Sequence, residues 1–211
     1  MVETRRQQQL DEVASALFRE RGYAATSVRE IARALDLQGA SLYTHMASKE
    51  DLLWSIVWRV AERFRTTVEP LAEGPGTPEA RLRAMIGAHV AIVAGEREHA
   101  AVFLHEWRFL GPERKAEMAA RRDAYEARFR EVIAAGMRDG TFRNGHAAIT
   151  ARALLSSLNG IPAWYRPDGP LGPGELADAY ANLFLSGLLA DRSEPAPARP
   201  PQPPRRRRTR P

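Results

Sequence analysis

The sequence has no cysteine among its 211 residues. That excludes disulfides, thiol nucleophiles and thiolate metal sites, and it makes a reducing cytoplasm the expected place of action. Lysine is nearly missing too: Lys49 and Lys115 stand among 31 basic residues, so almost every positive charge is a guanidinium. No apolar run approaches the ~18 residues of a membrane span, and residues 1–9 lack the apolar core of a signal peptide. The alternation of apolar and polar residues that marks strands is absent, as is any fixed repeat. Net charge is scarce outside the end of the chain. Residues 195–211 carry six arginines and no acid, so of the net +5 the other 194 residues hold −1. High basicity is therefore a property of this tail and is no evidence for a nucleic-acid-binding domain. No Gly-x-Ser-x-Gly, P-loop or His-x-x-x-His pattern occurs. No catalytic residue, metal site or cofactor is expected, and the chain is not expected to be an enzyme.

What is present is helical periodicity. Leu10, Val13, Ala14, Leu17 and Phe18 fall at i, i+3, i+4, i+7 and i+8, and Gly22 suits the position just past a helix end. Ser27 followed by Glu30 three residues later is a capping box, and Val28, Ile31, Ala32 and Leu35 continue as an apolar face. Residues 36–39 break the pattern, and both Asp36 and Gly39 tolerate left-handed backbone. Leu42 and Met46, four apart, are expected inside, which leaves Gln38, Gly39, Ser41, Tyr43, Thr44 and His45 outside. Ser48 caps the next helix, with Asp51 at the capping-box position and Leu52, Leu53, Ile56, Val57 and Val60 as its buried stripe. Three short helices with a tight turn before the third predict a helix-turn-helix domain.

This segment resembles the TetR family of transcriptional regulators. The resemblance lies in Gly22 through Val28, Ile31 and Ala32, Leu42 through His45, and Ser48 through Leu53, in the family's order and spacing. Asp36 stands where the family usually has Gly, and Met46 where it usually has Phe. The resemblance implies that Gln38, Gly39, Ala40, Ser41 and Thr44 face bases. It also implies that Tyr43, His45 and Lys49 meet phosphates, and that Thr26 and Ser27 add hydroxyl and helix N-terminal contacts. Gln38 can make a bidentate contact with adenine, and Ala40 can touch a thymine methyl.

Beyond residue 60 everything periodic is helical. The third helix runs through Phe64 toward Pro70, and 71–78 is rich in Gly and Pro and reads as a linker. Helices are expected over 78–94, with Leu82, Met85, Ile86, His89 and Val93 on one face, and over 97–110. A long helix starts at Pro112, with the stripe Tyr125, Phe129, Val132, Ile133 and Gly136, and ends near Gly140. Two more span 146–163 and 175–190, and both are apolar beyond a single stripe, which calls for burial on more than one side. A homodimer through a four-helix bundle supplies it, as the family resemblance also implies. The fold class is thus all-α: residues 1–54 a helix-turn-helix domain, 55–192 a helical bundle for ligand binding and dimerisation, and 193–211 a Pro/Arg-rich tail expected to be disordered.

His89, Phe103, Trp107, Tyr125, Phe129 and Trp164 bring aromatic groups onto neighbouring predicted helices, which suits an apolar pocket with few polar anchors. The run from Glu106 to Leu110, with Arg122 to Glu126, Gly140 to Arg143 and Trp164 to Gly169, resembles a TetR branch that represses fatty-acid or steroid catabolism genes and responds to acyl-CoA thioesters. On that resemblance an acyl chain lies among Phe103, Trp107, Tyr125 and Phe129, and Arg108 or Arg122 meets phosphates. The expected partners are an operator duplex, a second copy of the chain and a small-molecule inducer, with no membrane. The competing readings are a helical-bundle enzyme and a protein-interaction adaptor without DNA binding.

Overall fold

The computed structural model describes residues 5–37 and 46–189. Among these, the chain forms nine α-helices and two short 3-10 turns: α1 (Arg5–Arg21), α2 (Val28–Ala34), α3 (Lys49–Thr67), a 3-10 turn (Glu69–Glu73), α4 (Pro78–Gly95), α5 (Arg97–His105), a 3-10 turn (Trp107–Phe109), α6 (Pro112–Asp139), α7 (Ala147–Asn159), α8 (Ile161–Trp164) and α9 (Pro173–Leu188). The expected all-α fold is observed. The described residues contain one isolated bridge, Phe142 to Leu189.

The helix ends are built by local chemistry. Gly22, at φ +83°, ends α1 and returns its N–H to Phe18 O at 2.9 Å. Ser27 and Glu30 close a complete capping box on α2. At the other end of α2, Asp36 takes φ +53°. Leu37 N–H reaches Ala32 O at 2.9 Å and Asp36 N–H reaches Arg33 O at 3.2 Å, which is the two-bond Schellman stop with Asp in the place usually given to Gly. Ser48 Oγ accepts from Asp51 N–H at 3.0 Å and starts α3.

α3 is the spine. Its first half buries Leu52, Leu53, Ile56 and Val57 against α1 and α5, and its second half carries Val60, Ala61 and Phe64 into the larger bundle of α4, α6 and α7. α4 packs most extensively on α9, and α6 on α7. Where α6 passes Phe142, the ring fills the space in which a Cβ on Gly136 would sit, only 2.2 Å from Phe142 Cδ2.

Three sequence expectations are revised. The helix expected over 97–110 ends at His105 and continues as a 3-10 turn. The helix expected over 146–163 stops at Asn159, because Pro162 has no N–H for the α-helical ladder and its ring crowds the carbonyl four residues back. The linker expected over 71–78 is partly ordered, since Ala72 is buried within the 3-10 turn. No helix of the described residues is long and apolar enough to cross a membrane.

Candidate functional site

Two regions carry chemistry. The first surrounds the α1–α2–α3 corner. Thr26, expected to add a hydroxyl contact to DNA, is 1% exposed, and its hydroxyl donates to Gly22 O at 2.9 Å and closes the α1–α2 corner. Ser27 is exposed, with its oxygen accepting from Glu30 N–H. Lys49 Nζ donates to Tyr23 O and Thr26 O, both at 2.9 Å, and lies 4.2 Å from the centre of the Tyr23 ring. Partial burial lowers its pKa. An ammonium has three N–H donors, and two are engaged here. Gln38, Gly39, Ala40, Ser41, Tyr43, Thr44 and His45 lie outside the described residues.

This corner is tied to the bundle. Tyr23 N–H donates to Glu106 at 2.9 Å and its ring stacks on Phe109, while Arg19 pairs with Glu98 at 3.1 Å. Glu50 accepts from Gly111 N–H at 3.0 Å, and Asp51 pairs with Arg114 at 2.6 Å. One and two turns further along α3, Arg114 lies over Trp54, and Arg121 lies over Trp58 at 3.6 Å while also pairing with Glu62 at 3.5 Å. Trp54 and Trp58 at i, i+4, matched by Arg114 and Arg121 seven apart, are a sequence pattern that could have revealed this seam.

The second region is a cavity of about 470 Å³ between α3, α4, α5, α6 and α7. Of the residues expected to bind ligand, His89, Phe103, Arg122 and Tyr125 line it. Phe129 is fully buried behind Tyr125 and His89, at ring distances of 5.3 and 6.4 Å. Trp107 supports the wall from outside, beneath Arg122. Arg108 and Trp164 do not border it. Arg108 sits exposed in the 3-10 turn, and the break at Gly160 carries Trp164 to the surface, 51% exposed. Phe64, Leu104, Leu155 and Asn159 join the lining unforeseen, as do three further arginines, Arg65, Arg121 and Arg152.

The floor is aromatic: the Phe64 ring lies 4.8 Å from His89, 5.6 Å from Phe103 and 5.2 Å from Tyr125. His89 Nδ1 and the Tyr125 hydroxyl are 2.9 Å apart. Burial drives the His89 pKa down to about 3 against the opposing effect of the Asn159 side chain, so the ring is neutral. Burial, with Glu69 nearby, raises the Tyr125 pKa well above its usual value, so the phenol keeps its proton. The rim sets four arginines beside Glu69, Asp123 and Glu126. Arg65 and Arg121 pair with Glu62, and Arg152 pairs with Glu126 at 3.1 Å. Arg122 differs: it has no ion pair among the described residues and lies 5.3 and 5.2 Å over the rings of Phe103 and Trp107. Burial lowers its pKa, but a guanidinium stays charged in a protein.

Residues 12–56 match the family model described as bacterial regulatory proteins, tetR family. Residues 75–188 match the tetracyclin repressor-like C-terminal domain. The chain belongs to the TetR family. As a TetR-type transcriptional regulator it is 29% identical to the HTH-type transcriptional repressor KstR2 of Rhodococcus jostii (strain RHA1), over 88% of this chain and 92% of that one. It is 36% identical to the TetR family regulator PfmR from Thermus thermophilus, whose structure superposes with a TM-score of 0.76 over 84% of this chain and 97% of PfmR. AibR, solved in complex with isovaleryl coenzyme A and operator DNA, is 30% identical with a TM-score of 0.75, again over 84% and 97%.

Proposed function

We propose that this TetR regulator is a repressor, not an enzyme, that acts in the cytoplasm as a homodimer on a palindromic operator and is released by an acyl-CoA thioester. The observation that carries the ligand class is the cavity: an aromatic floor for an acyl chain beneath a rim with four arginines, of which Arg122 has no ion pair among the described residues. A guanidinium over two rings and without an ion pair among the described residues can make bidentate contact with a phosphate. AibR, with isovaleryl coenzyme A bound, supports the same class.

Dimerisation rests on the family and on two exposed apolar residues. Ile149 on α7 is 65% exposed and Leu183 on α9 is 69% exposed, each among small side chains that permit close approach. A two-fold dimer through these helices sets the recognition segments of residues 38–45 about one helical turn of DNA apart, ~34 Å. Residues 1–54 then form the DNA-binding unit and 55–192 the ligand and dimer unit, with α3 running through both.

Release follows from linkage. The ligand must bind the DNA-incompetent arrangement more tightly, or it changes nothing. The route is the α3–α6 seam. Arg121 borders the cavity, stacks on Trp58 and pairs with Glu62, and Arg114 holds Asp51 near the start of α3. A phosphate that draws Arg121 and Arg122 inward moves α6 along α3 and re-aims the Lys49 end. Calorimetric titration with acyl-CoA thioesters, paired with fluorescence anisotropy on the upstream DNA, tests the reading. Heat of binding with operator release supports it, and the absence of both across a panel of chain lengths rejects it.

A further inference from the structure

Resting on the cavity reading above, we propose that His89 is a specificity-determining residue: the inducer carries an oxygen function, a carbonyl or hydroxyl, on the end of its chain that enters the cavity, and His89 Nε2 binds it. His89 is 1% exposed and lines the cavity, and its Nε2 is buried with no hydrogen-bond partner. Asn159 borders the same space and lies near enough to raise the His89 pKa against burial, but no contact of hydrogen-bonding geometry joins it to that nitrogen. Buried polar atoms are nearly always paired, because an unmet one forfeits its hydration. The other faces of the ring are apolar, packed by Phe64 and Phe129, so a hydrocarbon occupant would leave Nε2 unpaired.

The other ring nitrogen is engaged by Tyr125. Among the described residues the one hydrogen-bond partner of the Tyr125 hydroxyl is His89 Nδ1, at 2.9 Å. In the proposed arrangement the Tyr125 phenol, which keeps its proton, donates it to Nδ1, and the neutral imidazole then carries its hydrogen on Nε2. The site therefore offers a donor at the closed, aromatic end of the cavity, while the guanidinium of Arg122 offers a cation at the rim. Tyr125 is a positioning residue in this scheme, and His89 touches the ligand. The complementary molecule is bipolar: anionic at the rim, apolar along its length and oxygenated at its buried tip. A saturated fatty acyl chain lacks the last of these.

The test uses four probes, decanoyl-CoA, 9-oxodecanoyl-CoA, decanoate and 9-oxodecanoate, titrated calorimetrically into the full chain and into His89→Phe and Tyr125→Phe. Circular dichroism confirms that each variant is folded. Tyr125→Phe removes a single oxygen and keeps the test open should His89→Phe not fold. The readout is the affinity ratio of oxo to plain chain within each pair. A ratio of about 10 or more in the parent, falling toward 1 in His89→Phe and reduced in Tyr125→Phe, is the expected result. A ratio near 1 in the parent, a ratio that persists in folded His89→Phe, or no binding of any probe overturns the proposal. A preference confined to the free acids, with neither thioester bound, upholds the His89 role and rejects the CoA reading on which the rim argument rests.

Discussion

The two halves of α3 face different environments, although the same helix makes both. From Leu52 to Val57 its inner face is closed: Leu52, Leu53, Ile56 and Val57 are at most 1% exposed among side chains of α1 and α5. From Ala61 to Arg65 the same face borders a 470 Å³ cavity. Packing to crystal-like density makes the first half a rigid mount, whereas the second half leaves room and so can respond to what fills it. A regulator needs both properties in one continuous element, since a ligand signal received at Phe64 must reach Lys49 without being absorbed by soft packing on the way.

That contrast can be broken by truncation. Leu53→Ala should cost about 2–5 kcal/mol in urea unfolding, the range for emptying a close-packed site. Phe64→Ala removes a larger side chain but from a wall already open on one side, so it should cost no more than the low end of the ~3–5 kcal/mol typical of such changes. A Phe64→Ala loss exceeding that of Leu53→Ala would erase the distinction.

Acid sharpens it. Unfolded, the His89 imidazole binds a proton below about 6.5, whereas the folded protein resists protonation until about 3. Stability contributed by the neutral ring is thus complete above pH 6.5 and falls as pH drops toward 3, by up to about 1.4 kcal/mol per pH unit. Burial depresses the His99 pKa as well, and that site adds to the same trend. His89→Phe should flatten the fall in melting free energy between pH 6.5 and 4.5, and an unchanged slope would mean that the imidazole is not buried as described.

Gly136→Ala extends the closed-packing side of the comparison to α6. Its new methyl would overlap Phe142, and the expected loss is about 1–3 kcal/mol; a neutral result would show that Phe142 moves freely. The smallest effect belongs to the turn before the recognition segment. Asp36 holds a left-handed backbone at φ +53°, which Gly adopts without strain, so Asp36→Gly should raise stability by about 0.5–1 kcal/mol. A destabilised variant would show that the Asp side chain has a task the backbone does not reveal.

The same division marks what the sequence could reveal. Features fixed by a few neighbouring residues were legible: the Ser27 and Ser48 caps, the Gly22 stop, the left-handed Asp36, the Gly140 end of α6 and the α3 stripe. Features fixed by which helix faces meet were not. Phe64 was placed on the continuing third helix, but nothing local says that its ring meets Tyr125 at a cavity. Arg65, Arg121 and Arg152 are far apart in sequence, and only the bundle gathers them at one rim. Trp164 was misplaced for a reason the sequence did contain, because Pro162 ends the helix that would have carried it inward.

DNA recognition through residues 38–49 is checked by an electrophoretic shift on the upstream DNA, with the Tyr43→Ala, Lys49→Ala double variant as control. A specific shift in the parent that disappears in the folded double variant is the predicted result. A shift that survives those substitutions, or competes equally with unrelated duplex, would contradict it.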